Sequence, residues 1–243
     1  MLAWMMAASL ALVSKAPVAV IGSTGRLGRP VVEELVAQGY PARCLLRHEL
    51  PPDGGEGEPT TSAQVAGLLA KMPGVTMVKG DINDPASLNT LLQGAGACIA
   101  VHGARRTTRI TDMLPWTHPE RDDPTHSRRI NYVGMMNLVA AAKASGSVRR
   151  IVRITGKGED PWSIFSILIN GLSRDVRREL APRYGLRCRR CASHSVAGLG
   201  SMAKAWNYEG ECVLRGTSDI DYTIIRPGIM GQLERLSDDV SLT

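Results

Sequence analysis

The sequence predicts a doubly wound parallel α/β sheet folded as a single domain. Strand and helix patterns alternate from residue 17 onward, a glycine-spaced turn joins the first strand to the first helix, and the composition suits one core. With 243 residues, 44% hydrophobic and 21% charged, the chain can bury a sizeable interior. That balance excludes a disordered, collagenous or membrane-embedded polypeptide.

The elements follow in order. From Pro17, the text PVAVIGSTGRLGRPVVEELVAQGY gives a β-branched run, a glycine-rich turn and a helix with Leu27, Val31, Leu35 and Val36 at helical spacing. Gly39 ends that helix, and ARCLL, Ala42–Leu46, is a second strand. A helix between two strands makes them parallel. Residues 48–60 are rich in Pro, Gly and acid and form a surface loop. Residues 62–72 carry Val65, Leu68 and Leu69 as a helix, and VTMVKGD, 75–81, is a third strand. Asp84 and Pro85 start a helix through Leu88, Leu91 and Leu92, and ACIAV, 97–101, is a fourth strand.

Residues 103–127 are polar and hold Pro115, Pro119 and Pro124, too long for a plain connection and so a functional loop or ordered flap. Ile130, Val133, Gly134, Asn137, Leu138 and Ala141 then define one face of a helix, followed by a fifth strand at 149–155. A last helix over 201–215 leads to a sixth strand, DYTIIRPG, at 221–228.

Gly22-x-x-Gly25-x-x-Gly28 lies between the first strand and the first helix. In that context the glycines allow a tight turn, close backbone approach to a pyrophosphate and helix-on-strand packing. The candidate cofactor residues of this turn are Gly22, Ser23, Thr24, Gly25, Arg26, Leu27 and Gly28. The end of the second strand separates NAD from NADP, because an acid there bonds the ribose 2′-OH whereas a cation pairs with a 2′-phosphate. This chain has Arg47 there, and Arg26 could reach the same phosphate, so NADP is favoured over NAD; the alternative is two solvated surface arginines.

The segments GSTGRLG, KGDINDP, NYVGMMNLVAAAK, RIVRITGKGEDPW and DYTIIRPG span most of residues 16–230. Together they resemble the short-chain dehydrogenase/reductase superfamily, specifically its atypical members close to the NmrA-like and NAD(P)-binding groups. The resemblance implies an NAD(P)-binding Rossmann domain and, if the chain is catalytic, an oxidoreductase or isomerase. It also implies that Asp81 and Ile82 border the adenine and that Val101, His102 and Gly103 line the dinucleotide.

Reductases of that superfamily use a Tyr-x-x-x-Lys helix, in which residues four apart share a face, tyrosinate exchanges the proton and the ammonium lowers its pKa and holds the nicotinamide ribose. Here Tyr40, Tyr132, Tyr184, Tyr208 and Tyr222 are followed four positions on by Cys44, Met136, Cys188, Cys212 and Arg226. The motif is absent. Matching the last helix by Glu211 puts Ala203 at the tyrosine position and Asn207 at the lysine position. Lys204 and Tyr208 form a reversed pair, and Thr155, ending the fifth strand, falls where the family often places a carbonyl-polarising hydroxyl. These three are the catalytic candidates, each with a plainer reading as a surface lysine, a half-buried tyrosine and a strand-ending threonine. His102 and His118 are further polar candidates.

Residues 173–199 match neither the superfamily pattern nor their surroundings and read as an insertion between Gly171-Leu172 and Gly198-Leu199. Its character is that of translated intervening sequence, which peptide mass spectrometry would test. It holds seven arginines against Asp175 and Glu179, so the formal charge of +6 shrinks to near neutrality outside it. A nucleic-acid partner is therefore not expected. Cys188, Cys191 and His194 fall short of the four ligands of a structural zinc, and no metal is expected.

The chain ends at Thr243, sixteen residues after Pro227, where the family usually continues into a substrate-covering lobe, so that lobe is expected to be truncated. Residues 1–15 read as an N-terminal tail and 16–243 as the domain. The apolar run 1–13 is too short to span a bilayer and lacks a basic start, although organellar targeting stays open. Five scattered cysteines fit a reducing compartment, and the cytoplasm is expected. The expected partners are a dinucleotide and either a small-molecule substrate or a protein, without membrane. Two function classes follow: an NADP(H)-preferring reductase or isomerase, and a non-catalytic dinucleotide-sensing regulator or scaffold.

Overall fold

A computed structural model describes residues 15–47, 61–104, 123–155 and 202–227. The N-terminal tail, the loop at 48–60, most of the proline-rich stretch with His118, the insertion and the chain end fall outside them. The described elements are β1 (Val18–Ile21), α1 (Gly28–Ala37), β2 (Ala42–Leu46), α2 (Ser62–Ala70), β3 (Val75–Lys79), α3 (Pro85–Leu92) and β4 (Ala97–Ala100). A π-helical turn (Arg129–Val133) then runs into α4 (Gly134–Ser145), followed by β5 (Arg150–Ile154), α5 (Met202–Arg215) and β6 (Asp221–Ile225).

The six described strands form one parallel sheet in the order β3-β2-β1-β4-β5-β6. Val18 pairs with Ala42 on one side and Ala97 on the other, so β1 is central and the chain reverses its direction of travel between β1 and β4. This is the doubly wound Rossmann arrangement that the alternating pattern predicts.

Helices on both faces explain why β1 is apolar throughout rather than alternating. Ala19 and Ile21 join one layer with Leu88, Leu91, Leu92, Met135 and Leu138. Val20 points into the other with Val32, Cys44, Val65 and Leu69. Each fully buried leucine contributes roughly 1.5–3 kcal/mol, so α3, with three in eight residues, is held to the sheet by its apolar face.

The helix starts carry their own signals. Thr61 and Gln64 form a reciprocal capping box, the Gln64 N–H donating to Thr61 Oγ1 at 3.3 Å and the Thr61 N–H to Gln64 Oε1 at 3.1 Å. Asp84 accepts from the N–H groups of Ala86 and Ser87 at 3.1 and 3.2 Å, with Pro85 as the first helical residue.

The helix expected from Ile130 onward is α-helical only from Gly134; its first turn is widened into a π-turn. The apolar spacing has no means of registering the extra residue. The widened turn packs on α5, where a Cβ on Gly210 would lie 2.2 Å from the Asn131 carbonyl oxygen. Only glycine permits that approach.

Candidate functional site

The carboxyl ends of β1, β4 and β5 converge where the strand order reverses, the place at which open α/β sheets bind ligands. The first wall is the turn between β1 and α1. Gly22 has φ +90°, a left-handed conformation that side chains resist, and a Cβ there would lie 2.8 Å from the His102 backbone nitrogen. A Cβ on Gly28 would lie 2.0 Å from the Gly22 carbonyl oxygen and 2.6 Å from Ser23 Cα. The N–H of Gly25 donates to Gly22 O at 3.0 Å, closing the turn.

The turn therefore packs against its own helix and against the end of β4. Leu27 caps α1 with no side-chain hydrogen bond; the Arg29 N–H donates to Gly25 O at 3.1 Å and Pro30 has no N–H, so the Gly28 N–H is the first-turn group left to face an anion. Ser23 is buried beneath the turn, Thr24 is half-buried and Arg26 is exposed. These features fit a pyrophosphate cradle: backbone approach that a Cβ would fill, and a ten-residue helix start without its own cap.

Arg47 directly follows β2 and is exposed, on the side of the sheet that takes the adenosine half in this topology. Asp81 is half-buried and braces its own turn, its Oδ1 accepting from the backbone N–H and side-chain amide of Asn83 at 2.7 and 2.9 Å. Ile82 is buried with its side chain in the core against Gly134, and its carbonyl accepts from Asn137 Nδ2 at 3.2 Å.

Val101, His102 and Gly103 continue from β4, with the Val101 N–H bonded to Ile21 O at 3.0 Å. The His102 ring nitrogens are shielded from solvent. Burial holds the imidazole well below its ordinary pKa; the Arg153 guanidinium and, more weakly, Arg47 reinforce this against the opposing Ile130 backbone. His102 is neutral near pH 7 and so a hydrogen-bonding rather than a cationic group there.

Behind His102 lies Arg153, fully buried on β5. Its Nη1 donates to the carbonyls of His102 and Ala100 at 2.7 and 3.3 Å, and its Nη2 to Asn207 Oδ1 on α5 at 3.0 Å. Sequence reading missed Arg153. The available signal was its position two residues after Ile151, on the same inward face of an apolar strand.

A second charged cluster ties β5, α5 and β6 together. Glu211 is fully buried, accepting from Thr155 Oγ1 at 2.8 Å, Arg226 Nε at 3.0 Å, Arg226 Nη2 and Arg215 Nη2 at 2.9 Å. Burial pushes its carboxyl pKa up, but the hydrogen bonds from Arg226 and Thr155 and the charges of Arg226 and Arg215 outweigh it and hold the group below the usual range. A carboxylate so held is a structural anchor and a poor base.

Two catalytic candidates take on definite surroundings here. Thr155 has a single hydroxyl hydrogen, and that hydrogen is donated to Glu211. Tyr208 lies within cation–π range of Arg215 and Arg226, at 5.8 and 5.9 Å, beside the same anchor. Lys204 lies within α5, but its side chain is outside the described residues. Cys44 and Cys98 are buried, with burial pushing their thiols up to about 11 and about 12; neither is a reactive thiolate. Among the described residues no group of three or more His, Cys, Asp or Glu could hold a metal ion, and no helix is long and apolar enough to cross a membrane.

Comparisons with known proteins agree with this architecture. The isoflavone reductase homolog IRL of Zea mays is 38% identical over 103 residues, covering 41% of this chain and 31% of that protein. The photosystem II assembly factor Ycf39 of Synechocystis sp. is 29% identical over 129 residues, covering 53% of this chain and 30% of its own. Each match thus spans under a third of the relative's length. Among solved structures, the Bordetella bronchiseptica enzyme WbmG in complex with NAD superposes with a TM-score of 0.54 at 15% identity, over 88% of this chain and 54% of WbmG. That likeness shows the fold. The model of the NmrA-like family matches residues 14–153, more than half of the sequence, and takes in the glycine turn and the first four strands. The chain belongs to the NmrA-like family.

Proposed function

We propose that the chain binds a nicotinamide dinucleotide, with its pyrophosphate on the turn from Gly22 to Gly28 and its adenosine half toward Arg47 and Asp81. The turn carries this reading: the Gly28 Cβ position, 2.0 Å from Gly22 O, admits only glycine, which supports the close turn-on-helix packing of a dinucleotide cradle. NADP(H) is preferred over NAD(H), because Arg47 and Arg26 offer cations to a 2′-phosphate. Val101, His102 and Gly103 line the other half of the cleft.

When bound, the dinucleotide supplies a hydride donor or acceptor. In the reductase or isomerase reading, in keeping with the maize relative's name, Thr155, Lys204 and Tyr208 are the residues left to orient substrate and move a proton. Thr155 then serves as an acceptor, since its hydrogen is engaged by Glu211. The second reading is a non-catalytic regulator or scaffold, the class suggested by the assembly-factor relative. The engaged Thr155 and the missing Tyr-x-x-x-Lys pair favour it.

Stopped-flow mixing of the NADPH-loaded protein with a carbonyl panel separates the two. Turnover abolished by Lys204→Ala or Tyr208→Phe supports the enzyme; tight binding without turnover supports the regulator.

A further inference from the structure

Residues 101–104 leave the sheet past its last rung, since the β4–β5 ladder ends at Ala100 opposite Arg153. Side chains and neighbouring backbone then hold this stretch from several sides. The Ile21 carbonyl accepts from the Val101 N–H at 3.0 Å, and Asn131 Oδ1 on the π-turn accepts from the Ala104 N–H at 3.2 Å. Arg153 Nη1 donates to the carbonyls of Ala100 and His102 at 3.3 and 2.7 Å. These last bonds are charge-assisted, and they come from a fully buried guanidinium whose Nη2 is tied to Asn207 Oδ1 on α5 at 3.0 Å.

The glycine turn rests on the same stretch. A Cβ on Gly22 would lie 2.8 Å from His102 N, 2.9 Å from His102 Cα and 3.1 Å from the Val101 carbonyl carbon, so these backbone atoms form the surface on which the turn begins. Gly22 O in turn accepts from the Gly25 N–H at 3.0 Å, and the Gly28 Cβ position lies 2.0 Å from that oxygen. Contact therefore runs from Arg153 through the His102 backbone to Gly22 and on to the start of α1. An apolar side chain could fill the volume of Arg153, but none could donate to two carbonyls and an amide at once.

We propose that Arg153 is a positioning residue for the phosphate-binding turn: by fixing the His102 backbone it fixes the surface on which Gly22 sits, and so the aim of the turn at a pyrophosphate. Being fully buried, it acts through His102 and touches no ligand. The inference rests on the dinucleotide-binding reading and deepens it.

The test is a double-mutant cycle between Arg153→Met and Gly22→Ala on the full chain. It is read by calorimetric titration with NADPH and with adenosine 2′-monophosphate, which has no pyrophosphate. Arg153→Met is expected to weaken NADPH about tenfold while adenosine 2′-monophosphate binds as it does to the wild type. Gly22→Ala drives a methyl against His102. Its loss of NADPH affinity is expected to be at least about fivefold smaller in the Arg153→Met background, where the His102 backbone can yield. The strain of a side chain at φ +90° is common to both backgrounds and cancels in the cycle. Arg153→Lys keeps the charge but offers one nitrogen where Arg153 uses two, and is expected to fall between wild type and Arg153→Met.

Additive losses in the cycle would overturn the proposal, and so would equal losses for both ligands, the mark of a general structural role. Should Arg153→Met fail to fold by circular dichroism, the same cycle run with Arg153→Lys decides by the same criteria. Folded wild-type protein that binds no NADPH would instead remove the dinucleotide reading itself, an outcome distinct from an additive cycle.

Discussion

Replacing Glu211 with Gln removes one negative charge from a fully buried, multiply bonded group, with almost no change in volume. The carboxylate takes hydrogen bonds from Thr155, Arg215 and Arg226 while fully buried. Breaking a buried pair from one side costs about 3–5 kcal/mol, because the remaining charges are left without compensation. Both arginine side chains are about one-third exposed, 34% and 33%, and can recover some hydration, so the lower end applies. The expected loss is about 3 kcal/mol, which lowers the urea midpoint by about 1 M for a typical slope near 3 kcal/mol per M. The pH dependence has a definite sign. The folded-state pKa of Glu211 is depressed, so its contribution is complete above the unfolded carboxylate pKa and is lost as pH falls through the folded value. The gap between wild type and Glu211→Gln should hold steady from about pH 8 to 5 and narrow below about pH 4. A loss under about 0.5 kcal/mol, or a gap that widens on acidification, would refute the anchor.

Further outcomes follow from the cleft. Arg47→Ser should cut the preference for NADPH over NADH by at least about tenfold, since a charge-assisted bond to a 2′-phosphate is worth roughly 1.5–3 kcal/mol; parallel titrations check it, and an unchanged ratio would assign Arg47 to the solvated surface. The folded-state pKa of His102 is depressed, so the unfolded chain takes up a proton that the native state refuses, and stability falls as pH drops below the unfolded histidine range. Relative to His102→Leu, the wild type should lose up to about 1.4 kcal/mol per pH unit between pH 6.5 and 5, measured by urea midpoints; parallel curves would show that His102 titrates normally.

What the sequence revealed was local. The glycine turn, the Asp84–Pro85 helix start and the apolar faces of α3 and α4 each lie within a few residues of chain, where periodicity and turn chemistry are legible. The residues that complete the site are joined only by sheet order. Thr155 and Glu211 are 56 positions apart, and Arg153 and Asn207 are 54. In RIVRI, Arg150 is exposed and Arg153 buried, a difference set by which strand face meets the helices rather than by residue type. The π-turn at Asn131 was equally hidden: it packs against Gly210, nearly eighty residues later, where a side chain would collide with the Asn131 carbonyl.

The central claim is that the turn from Gly22 to Gly28 holds a dinucleotide, and titration of NADPH and NADH into the wild type and Gly28→Ala tests it most directly. A methyl placed 2.0 Å from Gly22 O must displace the turn. The account predicts saturable binding to the wild type, NADPH tighter than NADH, and loss of both in the variant. Absence of binding to folded wild-type protein, or undiminished binding to Gly28→Ala, would contradict it.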